Sequence, residues 1–281
     1  MLNVLEVVKK TSEFFAAKGI ESPRLNAELL VGHALGLVRM RLYLEFERPV
    51  TEAELATIRE LVRRRGRREP LQYIVGSVDF SGLRLKADAR ALIPRPETEL
   101  LVETVVSRCQ EPPARILDLG TGGGAIALAL AKAFPGASVM AVDASAPALS
   151  LAAENALATG LSGRVQFTLS SGFEGLPKGE EFDLIVSNPP YLSQREVAEA
   201  PPEVRDHEPH GALASGSDGY GDIGQIITQS PAFLSAGGLL AVETGTGHHA
   251  EASQTAKAAG FGRSESFRDL TGRDRYFLAW R

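Results

Sequence analysis

Cysteine is nearly absent: Cys109 is the one thiol in 281 residues. That excludes an internal disulfide and any cysteine-rich metal site, and the residue reads as a small buried hydrophobe. Histidine is also scarce, with five in the chain and His248-His249 as the only adjacent pair. Neighbouring residues on a helix point apart, so the pair reads as a solvated helix start, and no metal is expected. No apolar run approaches the roughly 20 residues that span a bilayer. The opening Met1-Leu2-Asn3-Val4-Leu5-Glu6 carries an early acid and no signal-type apolar region, so the expected location is cytoplasmic. A net charge of −5 argues against broad, sequence-independent nucleic-acid binding. What is present, 44% hydrophobic and 23% charged residues, is the balance of a soluble globular protein. The length suggests one large domain and one smaller one.

Residues 1–69 read as helices only. Val4, Leu5, Val8 and Phe15 recur at helical spacing, and Gly19 closes that segment. Ser22-Pro23 offers an N-cap followed by a first-turn proline, and Thr51-Glu52-Ala53-Glu54 has the capping-box pattern. The basic run Arg63-Arg64-Arg65-Gly66-Arg67-Arg68 reads as solvated cations favoured near a helix C-terminus, with a docking surface for an acidic protein or RNA phosphate as the alternative. Residues 70–95 alternate and carry glycine punctuation, so both Pro70 to Gly76 and Val78 to Leu85 are expected in a β-hairpin linker.

An apolar helix is expected from Leu100 to about Cys109, and from Ala114 the pattern becomes β-α-β-α. Short apolar strands are expected at Arg115 to Leu119, Ser138 to Asp143, Val165 to Leu169, Phe182 to Ser187 and Gly237 to Glu243. Alternating strands and helices imply a mostly parallel sheet covered on both faces. Two closing strands, Glu265 to Arg268 and Tyr276 to Trp280, have too little chain between them for a crossover helix and should pair antiparallel.

Two stretches carry chemistry. Gly120-Thr121-Gly122-Gly123-Gly124 joins the first of these strands to its helix, where glycine lets backbone turn sharply and approach a ligand. Asp143 closes the second strand, suited to accept hydrogen bonds from ribose hydroxyls. Asp118, just before the loop, is awkward for a pyrophosphate and suits a cofactor with a cationic portion. The second stretch is Asn188-Pro189-Pro190-Tyr191 after the apolar run Phe182 to Val186. Prolines cannot continue a ladder, so Asn188 should sit at the carboxyl end of a central strand, where open α/β sheets bind ligands. Pro189 and Pro190 stiffen the turn, leaving the Asn188 side-chain oxygen and the Pro189 carbonyl as a fixed pair of acceptors beside the Tyr191 ring. That is a cradle for a planar N–H₂ group.

Asp118 to Ala127 together with Asn188 to Tyr191 resembles the S-adenosylmethionine-dependent methyltransferases of the seven-stranded type, among them the amino-methyltransferases. Gln72-Tyr73-Ile74-Val75-Gly76, Ile93-Pro94-Arg95-Pro96-Glu97-Thr98-Glu99 and Glu208-Pro209-His210-Gly211-Ala212-Leu213 narrow the likeness to the HemK/PrmC family of protein-(glutamine-N5) methyltransferases. The resemblance implies a Rossmann-like seven-stranded catalytic domain at 96–281, with a small all-helical N-terminal recognition domain and a β-hairpin linker before it. It also implies methylation of the glutamine in the Gly-Gly-Gln motif of peptide chain release factors, in translation termination. S-adenosyl-L-methionine would lie on Asp118, Gly120, Thr121, Gly122, Gly123, Gly124, Asp143, Gly172, Phe173 and Asn188, and Asn188, Pro189, Pro190 and Tyr191 would be the catalytic segment. The family's frequent acid near the adenine is missing from Ser170-Ser171-Gly172-Phe173, so Ser171 is expected to replace it as an acceptor, and Phe173 to stack. Release factor is the expected partner of a monomer with no membrane and no stable nucleic-acid contact. The alternative is a DNA or RNA adenine amino-methyltransferase, because adenine's exocyclic amine also fits the cradle and the base can be flipped out.

Overall fold

Five helices open the chain: α1 (Val4–Ala17), α2 (Pro23–Leu35), α3 (Arg39–Leu44), α4 (Glu52–Gly66) and α5 (Leu71–Val75). The computed structural model describes residues 2–177 and 179–281. Capping sets the helix starts. Thr51 Oγ1 accepts from Glu54 N while Glu54 Oε2 accepts from Thr51 N, and Asn3 and Glu6 do the same for α1. Ser22 does not behave as expected. It sits in the left-handed region at φ 46° and makes no cap bond, and the Asn26 amide instead donates to the Glu21 and Ser22 carbonyls. On α1, Val4, Val7, Val8, Thr11 and Phe15 form one buried stripe against Leu30, Val31, Leu42 and Ile58. Each such fully buried side chain contributes roughly 1.5–3 kcal/mol.

Contacts divide the chain into two units. One runs to Gly76 and includes Pro201–His207; the other comprises Ser77–Ala200 and Glu208–Arg281. Leu71–Val75 is a helical turn rather than the expected strand: Pro70 starts it and Gly76, at φ 78°, ends it, overriding the β-branched composition. The hairpin is confined to β1 (Ser77–Phe80) and β2 (Leu83–Lys86), paired antiparallel.

The basic run divides: Arg63 and Arg67 are exposed, as a solvated helix end would have them, while Arg64, Arg65 and Arg68 are tied down. Arg64 bonds Glu69, and Arg65, only 5% exposed, donates to Asn26 Oδ1, the Glu69 carbonyl and Glu203 Oε1. Arg68 takes the other oxygen of Glu203 at 2.7 Å. These cations hold the 201–207 segment, in α10 (Pro202–Arg205), within the helical unit. The partner lies 138 residues from Arg65, so no local pattern could signal it.

The second unit contains, in order, β1, β2, α6 (Pro96–Arg108), β3 (Arg115–Leu119), α7 (Ala125–Ala133), β4 (Ser138–Asp143), α8 (Ala146–Ala158), β5 (Val165–Leu169), β6 (Phe182–Ser187) and α9 (Gln194–Glu199). After α10 come α11 (Gly221–Gln229), β7 (Leu234–Glu243), α12 (His249–Ala258), β8 (Arg263–Arg268) and β9 (Asp274–Trp280). Seven strands form one sheet in the order β5-β4-β3-β6-β7-β9-β8. β3 to β7 are parallel, while β9 pairs antiparallel with both neighbours. Apolar clusters cover both faces, one around α6 and α7 and one around α11 and α12. His249 departs from the expected solvated start. It is 8% exposed, with Thr244 Oγ1 on one ring nitrogen and Ser266 Oγ on the other. Both partners belong to the sheet's closing strands and the turn before α12, which brings the ring inside.

Candidate active site

The strand order reverses direction between β3 and β6, which makes their carboxyl ends the switch point of the sheet. The register pairs Leu119 with Ser187, and Ser187 Oγ donates to the Leu119 carbonyl at 2.7 Å. The glycine loop and Asn188 therefore leave neighbouring strands at the same level, although 68 residues separate them.

The loop is fixed by its own backbone. Gly120 N and Thr121 N both donate to the Val142 carbonyl, and Gly122 N donates to Asp143 Oδ2 at 2.8 Å. Gly120 stands at φ +71° with open space where a Cβ would lie, so backbone is exposed to a ligand there. Thr121 turns inward, donating from Oγ1 to Asp118 Oδ2 at 2.6 Å. Asp118 Oδ2 also accepts from Ala127 N in the first turn of α7. Asp118 is fully buried and its Oδ1 has no partner among the described residues. Burial raises its carboxyl to a pKa of about 7, with Asp143 adding to the rise and the Thr121 and Ala127 bonds opposing it. Asp143 Oδ1 accepts from Ser145 N, so both Asp143 oxygens brace the loop.

Gly123 is held by a residue that sequence reasoning missed. Asn155, 1% exposed on α8, donates to the Gly123 carbonyl at 2.9 Å while bonding both the N–H and the carbonyl of Lys86 in β2. Gly172 is exposed at φ +56°, but the Phe173 ring is not a free stacking platform. It is 6% exposed and stacked on Phe233 at 4.7 Å between centroids, because the apolar cluster with α11 and α12 claims it.

Around Asn188 the amide nitrogen Nδ2 donates to Thr98 Oγ1 at 3.0 Å, and Thr98 Oγ1 donates to Glu243 Oε2 at 2.8 Å. The Tyr191 hydroxyl donates to Glu243 Oε1 at 3.0 Å, and the Arg275 guanidinium lies 5.6 Å from the Tyr191 ring centroid. Pro189 is buried, and among the described residues no donor reaches its carbonyl or Asn188 Oδ1. Burial raises the Glu243 pKa, against the pull of Thr98, Tyr191 and Arg275. Thr98 lies in a family-like segment and Glu243 ends an apolar central strand, a usable signal, but neither is given a role by the sequence alone. Arg95 pairs with Glu208 at 2.6 Å, joining two of the family-like segments. Among the described residues no group of three or more metal-ligating side chains is assembled, and no helix is long and apolar enough to cross a membrane.

The PrmC N-terminal domain matches residues 6–76, and the methyltransferase small domain matches residues 96–201. The release factor glutamine methyltransferase of Geobacter sulfurreducens is 42% identical over 276 residues, covering 97% of this chain and 94% of the relative. The chain belongs to the release factor glutamine methyltransferase family. A second member, from Rhodopirellula baltica, is 40% identical over 245 residues, covering 85% of this chain and 83% of its own. Among solved structures, the 16S rRNA N2 G1207 methyltransferase of T. thermophilus, in complex with AdoMet and guanosine, aligns with a TM-score of 0.53. It is 20% identical and covers 73% of this chain and 49% of its own, a likeness of fold alone.

Proposed function

We propose that this chain transfers the methyl group of S-adenosyl-L-methionine to the side-chain amide nitrogen of the glutamine in the Gly-Gly-Gln motif of peptide chain release factors. It does so as a cytoplasmic monomer. The observation that carries this reading is the register of β3 and β6, which sets the glycine loop beside two acceptors, Asn188 Oδ1 and the Pro189 carbonyl. The residues present fit the donor. The unpartnered, buried Asp118 Oδ1 suits a cationic group, the Gly120 backbone has space before it, and Asp143 retains lone pairs for ribose hydroxyls. When bound, S-adenosyl-L-methionine supplies an electrophilic methyl on a sulfonium.

An amide nitrogen is a poor nucleophile, because its lone pair is delocalised into the carbonyl by the resonance that flattens peptide bonds. Asn188 and Pro189 accept its two hydrogens and hold the nitrogen in one orientation. In transfer the N–C bond would form as the methyl–sulfur bond breaks and the sulfonium becomes a neutral thioether; the positive charge growing on the nitrogen would strengthen these two hydrogen bonds in the transition state, and one hydrogen would then pass to solvent water as a proton. Near-attack positioning of this kind supplies roughly 7–11 kcal/mol. Tyr191, tied through its hydroxyl to Glu243, packs beside the amide plane. Pro190 keeps the turn rigid.

The test is mass spectrometry of candidate release factors after incubation with the enzyme and S-adenosyl-L-methionine. One methyl on the motif glutamine, and none on a Gln→Ala substrate, is expected. Methyl transfer to adenine in DNA or RNA, with none to release factor, would overturn the reading.

A further inference from the structure

The side-chain amide of asparagine is nearly symmetric in shape, with an oxygen at one end and an N–H₂ of similar size at the other. A cradle for a substrate amide needs the oxygen end. Facing the substrate with N–H₂ would set donor against donor. Shape cannot make that choice at Asn188, so a hydrogen-bond partner must.

Three residues bring that partner into place. Val242 pairs with Ser187, so Glu243 at the end of β7 lies level with Asn188 at the end of β6. Thr98 lies in the first turn of α6, whose start is set by Pro96. Thr98 is 3% exposed and Glu243 1% exposed, so neither exchanges its partners for water. The chain of bonds is Asn188 Nδ2 to Thr98 Oγ1 at 3.0 Å, Thr98 Oγ1 to Glu243 Oε2 at 2.8 Å, and Tyr191 OH to Glu243 Oε1 at 3.0 Å.

With Glu243 ionised, proton bookkeeping along this chain has one solution. An ionised carboxylate only accepts, and a threonine hydroxyl has one hydrogen to give. Thr98 must give its hydrogen to Glu243, which leaves Thr98 Oγ1 as an acceptor toward Asn188. Only the N–H₂ end of Asn188 can meet it, and Oδ1 is turned to the open side. The second Glu243 oxygen is taken by Tyr191, so the carboxylate fixes two members of the Asn-Pro-Pro-Tyr segment at once. The buried charge is offset by these two donors and by Arg275, which also lies over the Tyr191 ring.

We propose that Glu243 and Thr98 are positioning residues for methyl transfer, setting the sense of the Asn188 side-chain amide so that its oxygen receives the substrate N–H₂. This rests on the reading of Asn188 and Pro189 as the amide cradle. Neither residue touches substrate. Their action passes through Asn188 and Tyr191. Replacing the carboxylate by an isosteric amide removes the constraint. In Glu243→Gln the new N–H₂ can donate to Thr98, whose hydrogen is then free to reach Asn188 Oδ1, and the N–H₂ of Asn188 is swung toward the substrate.

The experiment measures steady-state kinetics with release factor and S-adenosyl-L-methionine for four full-length variants, with cofactor affinity by calorimetry and a melting curve for each. Glu243→Gln and Thr98→Val are each expected to lower kcat by about 10²–10³-fold, the scale on which loss of one preorganised polar contact acts. KM for release factor and cofactor affinity should stay near wild type, a split that general loosening of the fold would not give. Thr98→Ser keeps the hydroxyl and should restore kcat to near wild type. Asn188→Ala serves as the reference and should be inactive. Wild-type kcat in both Glu243→Gln and Thr98→Val, with Asn188→Ala inactive, would overturn the positioning role and leave the cradle standing. Activity in Asn188→Ala would overturn both. Thr98→Val carries the test by itself if Glu243→Gln fails to fold.

Discussion

Asp118→Asn should stabilise the protein at alkaline pH and destabilise it at acid pH, while weakening cofactor binding at both. The carboxyl has a pKa of about 7 in the folded chain against its ordinary 3.8, raised first by burial. Below pH 4 it is protonated in folded and unfolded chains alike and costs nothing. Between pH 4 and 7 the unfolded chain ionises while the folded one holds the proton, so native stability falls as pH rises. Above pH 7 the full penalty stands. At about 1.4 kcal/mol per pKa unit it is on the order of 4 kcal/mol. Asparagine removes the charge, but its N–H₂ falls where Oδ1 already lacks a partner, a cost of roughly 1–3 kcal/mol at every pH. The balance at pH 8 is a gain of about 2 kcal/mol, or a Tm higher by about 5 °C. At pH 4.5 the variant should melt below wild type. Calorimetric scans from pH 4.5 to 8, with titration of S-adenosyl-L-methionine at pH 8, decide it. A Tm difference flat across that range would refute the buried-charge account, and undiminished cofactor affinity would refute the role of Asp118 toward a cation.

Asn155→Leu keeps the volume but loses three hydrogen bonds to Lys86 and Gly123. We expect a loss of about 2–3 kcal/mol in urea unfolding and weaker cofactor binding by calorimetry. In Gly219→Ala the new Cβ would stand 2.4 Å from the Tyr191 carbonyl oxygen, at a φ of +81°. That contact is with backbone and must displace the Asn-Pro-Pro-Tyr segment, so kcat should fall on the order of 10²-fold and the melting temperature should drop. Glu203→Ala leaves Arg65 and Arg68 without their shared carboxylate. A loss of about 3 kcal/mol is expected, read as a lower urea midpoint, with faster proteolysis in 201–207.

Features carried by neighbours in the chain were legible in the sequence. The Thr51 capping box, the glycine loop, the proline stop after β6 and the antiparallel end of the sheet each follow from residues within a few positions of one another. They follow because turn geometry, caps and ladder hydrogen bonds are local constraints. Where a local pattern had two physical outcomes, packing chose. Pro70 to Gly76 is β-like in composition yet helical between its two end signals, and Phe173 looks like a stacking platform yet is buried against Phe233. His249 heads a helix yet is enclosed by Thr244 and Ser266.

The sequence by itself determined the chemistry on offer at Asn188: a rigid pair of acceptors at the end of a buried strand, with a glycine loop and its acids elsewhere in the chain. Only the tertiary structure decided which way those acceptors face. Thr98 stands 90 residues from Asn188 and 145 residues from Glu243 along the chain. The register of β6 against β7 and the start of α6 bring them together. A hydrogen bond reads distance in space and the direction of a single proton, and neither is written in the order of residues along a chain.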